Sequence, residues 1–212
     1  MSGGRFLTLE GIEGVGKSTQ IARLAAALAE RGIDHVVTRE PGGTPLAEKI
    51  RALVLNSRDE SLPPAGELLL MFAARAVHLH NYIEPHLLAG RWVLCDRFTD
   101  ASYAYQGGGR GMDLRTIAQL EQLVQGSRRP DLTLLLDAPV EQALARAQQR
   151  NSASVQDRFE SERAEFFARV RATYLARAAA EPARFALIDA LQSVDRVAAQ
   201  VLNVLLERAW IT

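Results

Sequence analysis

Gly11-Ile12-Glu13-Gly14-Val15-Gly16-Lys17-Ser18 reads G-x-x-x-x-G-K-S, a complete Walker A pattern. An apolar run, Phe6-Leu7-Thr8-Leu9, precedes it. Ile21, Leu24, Ala25 and Leu28 follow at helical spacing. Strand, loop and helix in that order turn a string match into a phosphate site. Glycines let the backbone curl until several N–H groups point inward, and the helix N-terminus adds positive potential. There Lys17 reaches the β- and γ-phosphates of a nucleoside triphosphate, and Ser18 offers its hydroxyl to Mg²⁺.

Outward from this loop, four more short apolar runs read as buried parallel strands. They are His35-Val36-Val37-Thr38, Trp92-Val93-Leu94-Cys95, Leu132-Thr133-Leu134-Leu135-Leu136 and Phe185-Ala186-Leu187-Ile188. Helical patterns fill the gaps at 17–31, 44–56, 64–89, 113–125, 139–149, 160–180 and 193–208. The alternation predicts an α/β fold, a five-stranded parallel sheet with helices on both faces and right-handed crossovers. No repeat or linker divides the 212 residues, so a single domain is expected, with a short lid near 146–158.

The 25 basic and 25 acidic residues balance, which argues against a nucleic-acid partner. The lone cysteine, Cys95, excludes an intrachain disulfide and fits a reducing cytoplasm. No run is long enough for a membrane span, and the early strand argues against a signal peptide. A cytoplasmic enzyme is expected.

Three stretches break the alternation: 39–44, 106–111 and 149–157. The first two adjoin strand ends, where open α/β sheets bind ligands. All three are read as functional loops. Asp96-Arg97-Phe98 directly follows a strand. Asp96 sits where a carboxylate would order Mg²⁺ or its waters, and Arg97 is placed to clamp an acceptor phosphate. A strand-end ion pair is the plainer alternative. Phe72 and Arg75, three apart on a helix, combine an aromatic face with a guanidinium fork that suits a base. A core phenylalanine beside a surface arginine fits the same spacing. Arg146, Arg150 and Arg158 bracket a polar segment that suits a lid over phosphates, or a solvated loop.

Glu10 to Thr19, Thr38-Arg39-Glu40-Pro41-Gly42-Gly43-Thr44, Cys95-Asp96-Arg97-Phe98, Ala104-Tyr105-Gln106-Gly107-Gly108-Gly109-Arg110-Gly111 and Arg129-Pro130-Asp131-Leu132-Thr133 together resemble the bacterial thymidylate kinase family, in order and over nearly the whole chain. The resemblance implies ATP as phosphoryl donor and dTMP as acceptor, with Mg²⁺ and a homodimer. Gly11, Ile12, Glu13, Gly14, Val15, Gly16, Lys17, Ser18 and Thr19 would hold the ATP phosphates, with Arg146 nearby and Asp189-Ala190 near the adenine. Arg97 and Arg51 would hold the dTMP phosphate, Phe72 would stack on thymine and Arg75 would bond its O4 edge. Ser102 and Gln106 would reach polar atoms of the nucleotide. Tyr105 would crowd the sugar C2′, Glu13 would approach the 3′-hydroxyl, and Glu40-Pro41 would shape the loop beside the sugar, through a cis bond if the turn is tight.

The chain departs from the family pattern twice. The phosphate loop carries no arginine, so the catalytic cation is assigned to the lid, to Arg150 and Arg158. Phe98 stands where a polar or hydroxylated ring is expected. Another deoxynucleotide or deoxynucleoside kinase, and more remotely a switch ATPase, remain as alternatives. The missing N-K-x-D and D-x-x-G motifs speak against a GTPase. His78, His80 and His86 do not share a helical metal-ligand face. Cys95, Trp92 and Trp210 read as packing residues. The apolar stripe of 64–89, with Leu68, Met71, Phe72 and Val77, exceeds the needs of one core and points to a homodimer.

Overall fold

The computed structural model describes residues 3–56, 61–151 and 164–212. Five parallel strands form one sheet: β1 (Phe6–Glu10), β2 (His35–Arg39), β3 (Trp92–Asp96), β4 (Leu132–Asp137) and β5 (Phe185–Asp189), in the order β2-β3-β1-β4-β5. The helices are α1 (Lys17–Glu30), α2 (Pro45–Asn56), α3 (Pro64–His78), α4 (Glu84–Leu88), α5 (Thr99–Ser102), α6 (Leu114–Gln125), α7 (Val140–Asn151), α8 (Ala164–Ala180) and α9 (Val194–Glu207). All five expected strands are present.

Strand periodicity divides the core. Leu7 and Leu9 pack with Ile21, Leu24 and Leu28 of α1 and with Val197, Val201 and Leu205 of α9. Phe6 points the other way, into Leu79, Ile83, Val93, Cys95 and Phe98. The three central strands are buried. β2 and β5 are not uniformly so, because each lies at an edge: Val37 and Leu187 are exposed.

Two expectations need correction. The helix read as continuous over 64–89 widens into a π-helical turn at Leu79–Ile83 before α4. Pro85 follows at once; it has no N–H to donate and its ring crowds the carbonyl one turn back. The glycine tract at 106–111 is not an open loop. Residues Tyr103–Gly109 continue α5 as a π-helix. A Cβ at Gly108 would collide with Thr173 Oγ1 and lie 2.9 Å from the Arg169 carbonyl oxygen, both on α8, and one at Gly109 would strike the Phe166 ring. These glycines permit close packing of two helices.

Candidate functional site

The phosphate loop leaves the carboxyl end of β1 and enters α1 through Gly16, whose φ of 93° closes the turn. Gly14, with φ of 82°, abuts the Ala143 carbonyl of α7, so no side chain fits there. Lys17 is buried, and its Nζ donates to the carbonyls of Gly11 at 3.2 Å and Ile12 at 3.0 Å. Burial and the neighbouring Arg97 charge lower its pKa from 10.5 to about 8, against the opposing pull of Asp96, Glu13 and Glu10.

Two clefts meet beside this loop. One is lined by Glu13, Gly14, Gly16, Lys17, Ser18 and Asp96, together with Arg39. The other, with about 730 Å³ of empty space, is lined by Pro41, Met71, Arg75, Phe98, Ser102, Tyr105 and Gln106, among others. Glu13, Glu40, Arg51 and Arg97 line both.

Arg97 stands at the junction with a left-handed backbone, φ 69°, which is strained for a side-chain-bearing residue. Its Nη1 donates to the Gly11 carbonyl at 2.9 Å and to the Tyr174 hydroxyl at 3.2 Å, and its Nη2 lies 3.7 Å from Glu13 Oε2. The Tyr174 hydroxyl donates to Glu10 Oε2 at 2.7 Å, and the Phe98 N–H donates to Glu10 Oε1 at 2.7 Å. Burial and the Asp100 charge raise Glu10 from 4.5 to about 8, against Arg97 and these two hydrogen bonds. Neither Glu10 nor Tyr174 has a site role in the sequence reading. A glutamate ending an apolar strand was the available signal.

The turn after β2 carries a cis Glu40–Pro41 bond. Glu40 takes Arg75 Nε at 2.7 Å and faces His78 Nδ1 at 3.1 Å; Thr38 Oγ1 lies 2.7 Å from His78 Nε2. His78 is thus a buried hydrogen-bonding residue. No cluster of three His, Cys, Asp or Glu suited to a metal occurs among the described residues. Arg51 Nη1 donates to the Pro41 carbonyl at 2.9 Å. Arg75 Nη2 donates to the Phe98 carbonyl at 3.2 Å and to Ser102 Oγ at 3.1 Å. Its Nη1 is buried with no hydrogen-bond partner among the described residues, a donor in the wall of the cleft.

Phe72 departs from expectation. Its ring is 2% exposed, packed with Leu68, Tyr103 and Ile117, and the Arg75 guanidinium carbon sits 4.7 Å from its centroid. It is absent from the lining of the cleft, where Met71, one residue earlier and one turn before Arg75, takes the place. The core reading of Phe72 therefore prevails, while Arg75 is at the site. Phe98 is buried edge-on against Phe6, which explains a plain ring at that position.

Asp96 Oδ1 is buried and has no hydrogen-bond partner among the described residues, and Ser18 is exposed in the same cleft. An unpaired carboxylate oxygen beside a hydroxyl and the phosphate loop fits Mg²⁺, which keeps few protein ligands. Arg146 Nη1 donates to the Ala190 carbonyl at 2.8 Å, and the Ala190 N–H donates to the Asp137 carbonyl. Asp189 accepts from the Leu191 N–H and from Gln192. Arg146, Asp189 and Ala190 are thus brought together. The Arg150 side chain and all of Arg158 lie outside the described residues. Cys95 is buried, with burial foremost in holding its thiol well above its ordinary pKa, as a packing residue requires. Trp92 and Trp210 pack edge to face.

A parallel sheet ordered β2-β3-β1-β4-β5, a Walker A loop after its central strand and a second cleft joined to it define a P-loop phosphotransferase. The thymidylate kinase family model matches residues 9–201. A thymidylate kinase of Chromohalobacter salexigens is 58% identical over 209 residues, covering 98% of each chain. One from Pseudomonas putida is 59% identical over 194 residues, covering 92% of this chain and 91% of the relative. The crystal structure of thymidylate kinase from Ehrlichia chaffeensis superposes with a TM-score of 0.78 at 36% identity, covering 96% and 98% of the two chains. The chain belongs to the thymidylate kinase family.

Proposed function

We propose that the protein transfers the γ-phosphoryl group of ATP to dTMP, giving ADP and dTDP in dTTP biosynthesis. The observation that carries this reading is the junction of two clefts at Glu13, Glu40, Arg51 and Arg97. A phosphoryl group can pass there between two bound nucleotides without crossing water. An acceptor phosphate oxygen forms the new P–O bond while the bond to the β-phosphate bridging oxygen breaks. That acceptor oxygen is already ionised at neutral pH, so no general base is required. Positioning and charge neutralisation supply the catalysis.

Lys17 and the loop N–H groups of Gly11 to Thr19 hold the donor phosphates, with Asp189 and Ala190 beside the adenine and Arg146 anchoring that edge. Arg97 and Arg51 hold the acceptor phosphate. Arg75 addresses the base, Ser102 and Gln106 its polar atoms, Tyr105 the sugar, and Glu13 the 3′-hydroxyl. Glu40-Pro41 shapes the floor. Ser18 and Asp96 would hold Mg²⁺, which neutralises charge on the donor phosphates. Arg150 and Arg158 are proposed, from the sequence, as the cations that complete the shell around the transferring group. The stripe read as surplus on 64–89 is largely in use, with Leu68 and Phe72 buried in the core and Met71 in the cleft; what supports a homodimer through this helix is the exposed Leu69 on α3. A lone, buried cysteine supports a reducing, cytoplasmic setting.

The test is a coupled assay of ADP formation with ATP and dTMP, dUMP, dCMP or thymidine. Preference for dTMP supports the reading. Preference for thymidine or dCMP selects a related kinase, and hydrolysis indifferent to acceptor overturns both.

A further inference from the structure

Gln106 lines the acceptor cleft, yet one end of its amide is already committed. Its Nε2 donates to Glu67 Oε1 at 2.8 Å. Glu67 lies in the first turn of α3 and its side chain is 0% exposed. A carboxylate only accepts hydrogen bonds, so this contact fixes which end of the Gln106 amide is nitrogen. Arg110 stands against the same carboxylate: its Nη2 lies 3.3 Å from Glu67 Oε2 and its Nε donates to Oε1 at 3.5 Å. The Arg110 guanidinium is itself seated over the Phe166 ring, 4.9 Å from the centroid. The chain from α8 through Arg110 and Glu67 to Gln106 is thus tied at each link.

We propose that Glu67 is a positioning residue that sets the hydrogen-bonding polarity of the base site. With the amide nitrogen turned to Glu67, the carbonyl Oε1 of Gln106 is the end available to a base. Arg75, in the lining of the same cleft, contributes the opposite polarity: its Nε is held by Glu40 and its Nη2 by Ser102 Oγ and the Phe98 carbonyl, which leaves Nη1 a buried donor with no hydrogen-bond partner among the described residues. One fixed donor and one fixed acceptor match a base edge that presents a carbonyl beside an imide N–H. Thymine and uracil present that edge at O4 and N3. Cytosine presents the reverse, an amino group beside an unprotonated nitrogen. If the Gln106 amide could turn over, its half of this discrimination would be lost.

This inference rests on the reading of the cleft as the acceptor site. Its test is Glu67→Gln, which keeps shape but can either accept from or donate to the Gln106 amide. The kcat/KM ratio of dTMP to dCMP should fall at least ~10-fold, mainly through a higher KM for dTMP, since a mismatched buried polar pair is the basis of strong rejection. The ratio of dTMP to dUMP should not change, because both bases carry the same imide edge. KM for ATP should also stay constant. Glu67→Asp is the second variant: it keeps the charge but withdraws it by one methylene, and should lower the dTMP to dCMP ratio in the same direction by less. Thermal melting selects the variant that is folded. An unchanged dTMP to dCMP ratio in a folded variant overturns the inference, as does a parallel loss for dTMP, dUMP and dCMP. If the unaltered protein does not phosphorylate dTMP, the reading of the cleft itself fails.

Discussion

Glu40→Gln isolates one buried charge at the floor of the acceptor cleft. The Glu40 and Arg75 side chains are 4% and 3% exposed, with Nε and Oε2 2.7 Å apart. Removing one member of such a pair leaves the other charge buried, at about 3–5 kcal/mol when its partner is lost outright. Glutamine still offers one acceptor, and Arg75 keeps the Phe98 carbonyl and Ser102 Oγ. The lower end, about 3 kcal/mol, is therefore expected. For a chain of this size that is a fall in Tm of about 6–12 °C, at roughly 2–4 °C per kcal/mol. The guanidinium should also lose its aim. A further ~1.4 kcal/mol of lost acceptor binding would raise KM for dTMP about tenfold, with KM for ATP less affected because Arg75 lines only the acceptor cleft, although Glu40 borders both. Calorimetry and initial rates for both substrates make the check. A Tm within about 2 °C of the unaltered protein, with an unchanged KM for dTMP, would refute the buried-pair argument.

Lys17→Ala should lower kcat by at least ~10²-fold with little change in Tm, since its charge is needed most as negative charge shifts toward the leaving oxygen; near-normal turnover would remove it from the mechanism. Its pKa, lowered to about 8, means the cation is lost as pH rises through that value, so kcat/KM for ATP should decline above about pH 8. Between pH 8 and its ordinary 10.5 the unfolded chain holds the extra proton, so this group adds stability as pH rises there; a pH series of Tm and rate tests both signs. Met71→Ala should raise KM for dTMP severalfold with little loss of Tm. Phe72→Ala should instead lower stability by about 3–5 kcal/mol, and a selective effect of Phe72 on dTMP with normal Tm would restore it to the base site. Gly108→Ala forces a Cβ against Thr173 and the Arg169 carbonyl; at about 1–3 kcal/mol of overpacking it should lower Tm and weaken dTMP binding together, and a neutral result would contradict the close packing of Tyr103–Gly109 on α8.

The sheet was legible because each strand is a short apolar run and the phosphate loop fixes where the first one ends. The site was legible only where a residue type suits one chemistry. Lys17, Asp96 and Arg97 are recognisable from the loop and strand end alone, and all three line the donor cleft. Gly107, Gly108 and Gly109 were misread because a glycine tract in sequence signals conformational freedom. The cause of Gly108 and Gly109 is the surface of α8, some sixty residues away, while Gly107 faces Leu114 and Ile117 of α6. Met71 and Phe72 differ by one step around a helix, and the neighbours that bury one of them, Tyr103 and Ile117, belong to other elements. Helical spacing cannot say which of the two meets the base.

The acids were the hardest to read. A neutral balance of charge suggests solvated, mutually cancelling surface groups, yet Glu10, Glu40 and Glu67 are all buried. Each holds a polar side chain that lines the acceptor cleft. Glu10 acts on Arg97 through the Tyr174 hydroxyl, Glu40 on Arg75 directly, and Glu67 on Gln106 directly. In water an arginine fork or an amide would sample many orientations, and binding would have to offset that lost freedom. Three acid side chains fixed in the core remove it in advance. Two of the three arginines that line the cleft also stand beside acids, Arg75 by Glu40 and Arg97 by Glu13. A reader of the sequence sees three glutamates among many. Only the packing shows that these three are turned inward, and that the specificity of the cleft is held from behind rather than at its surface.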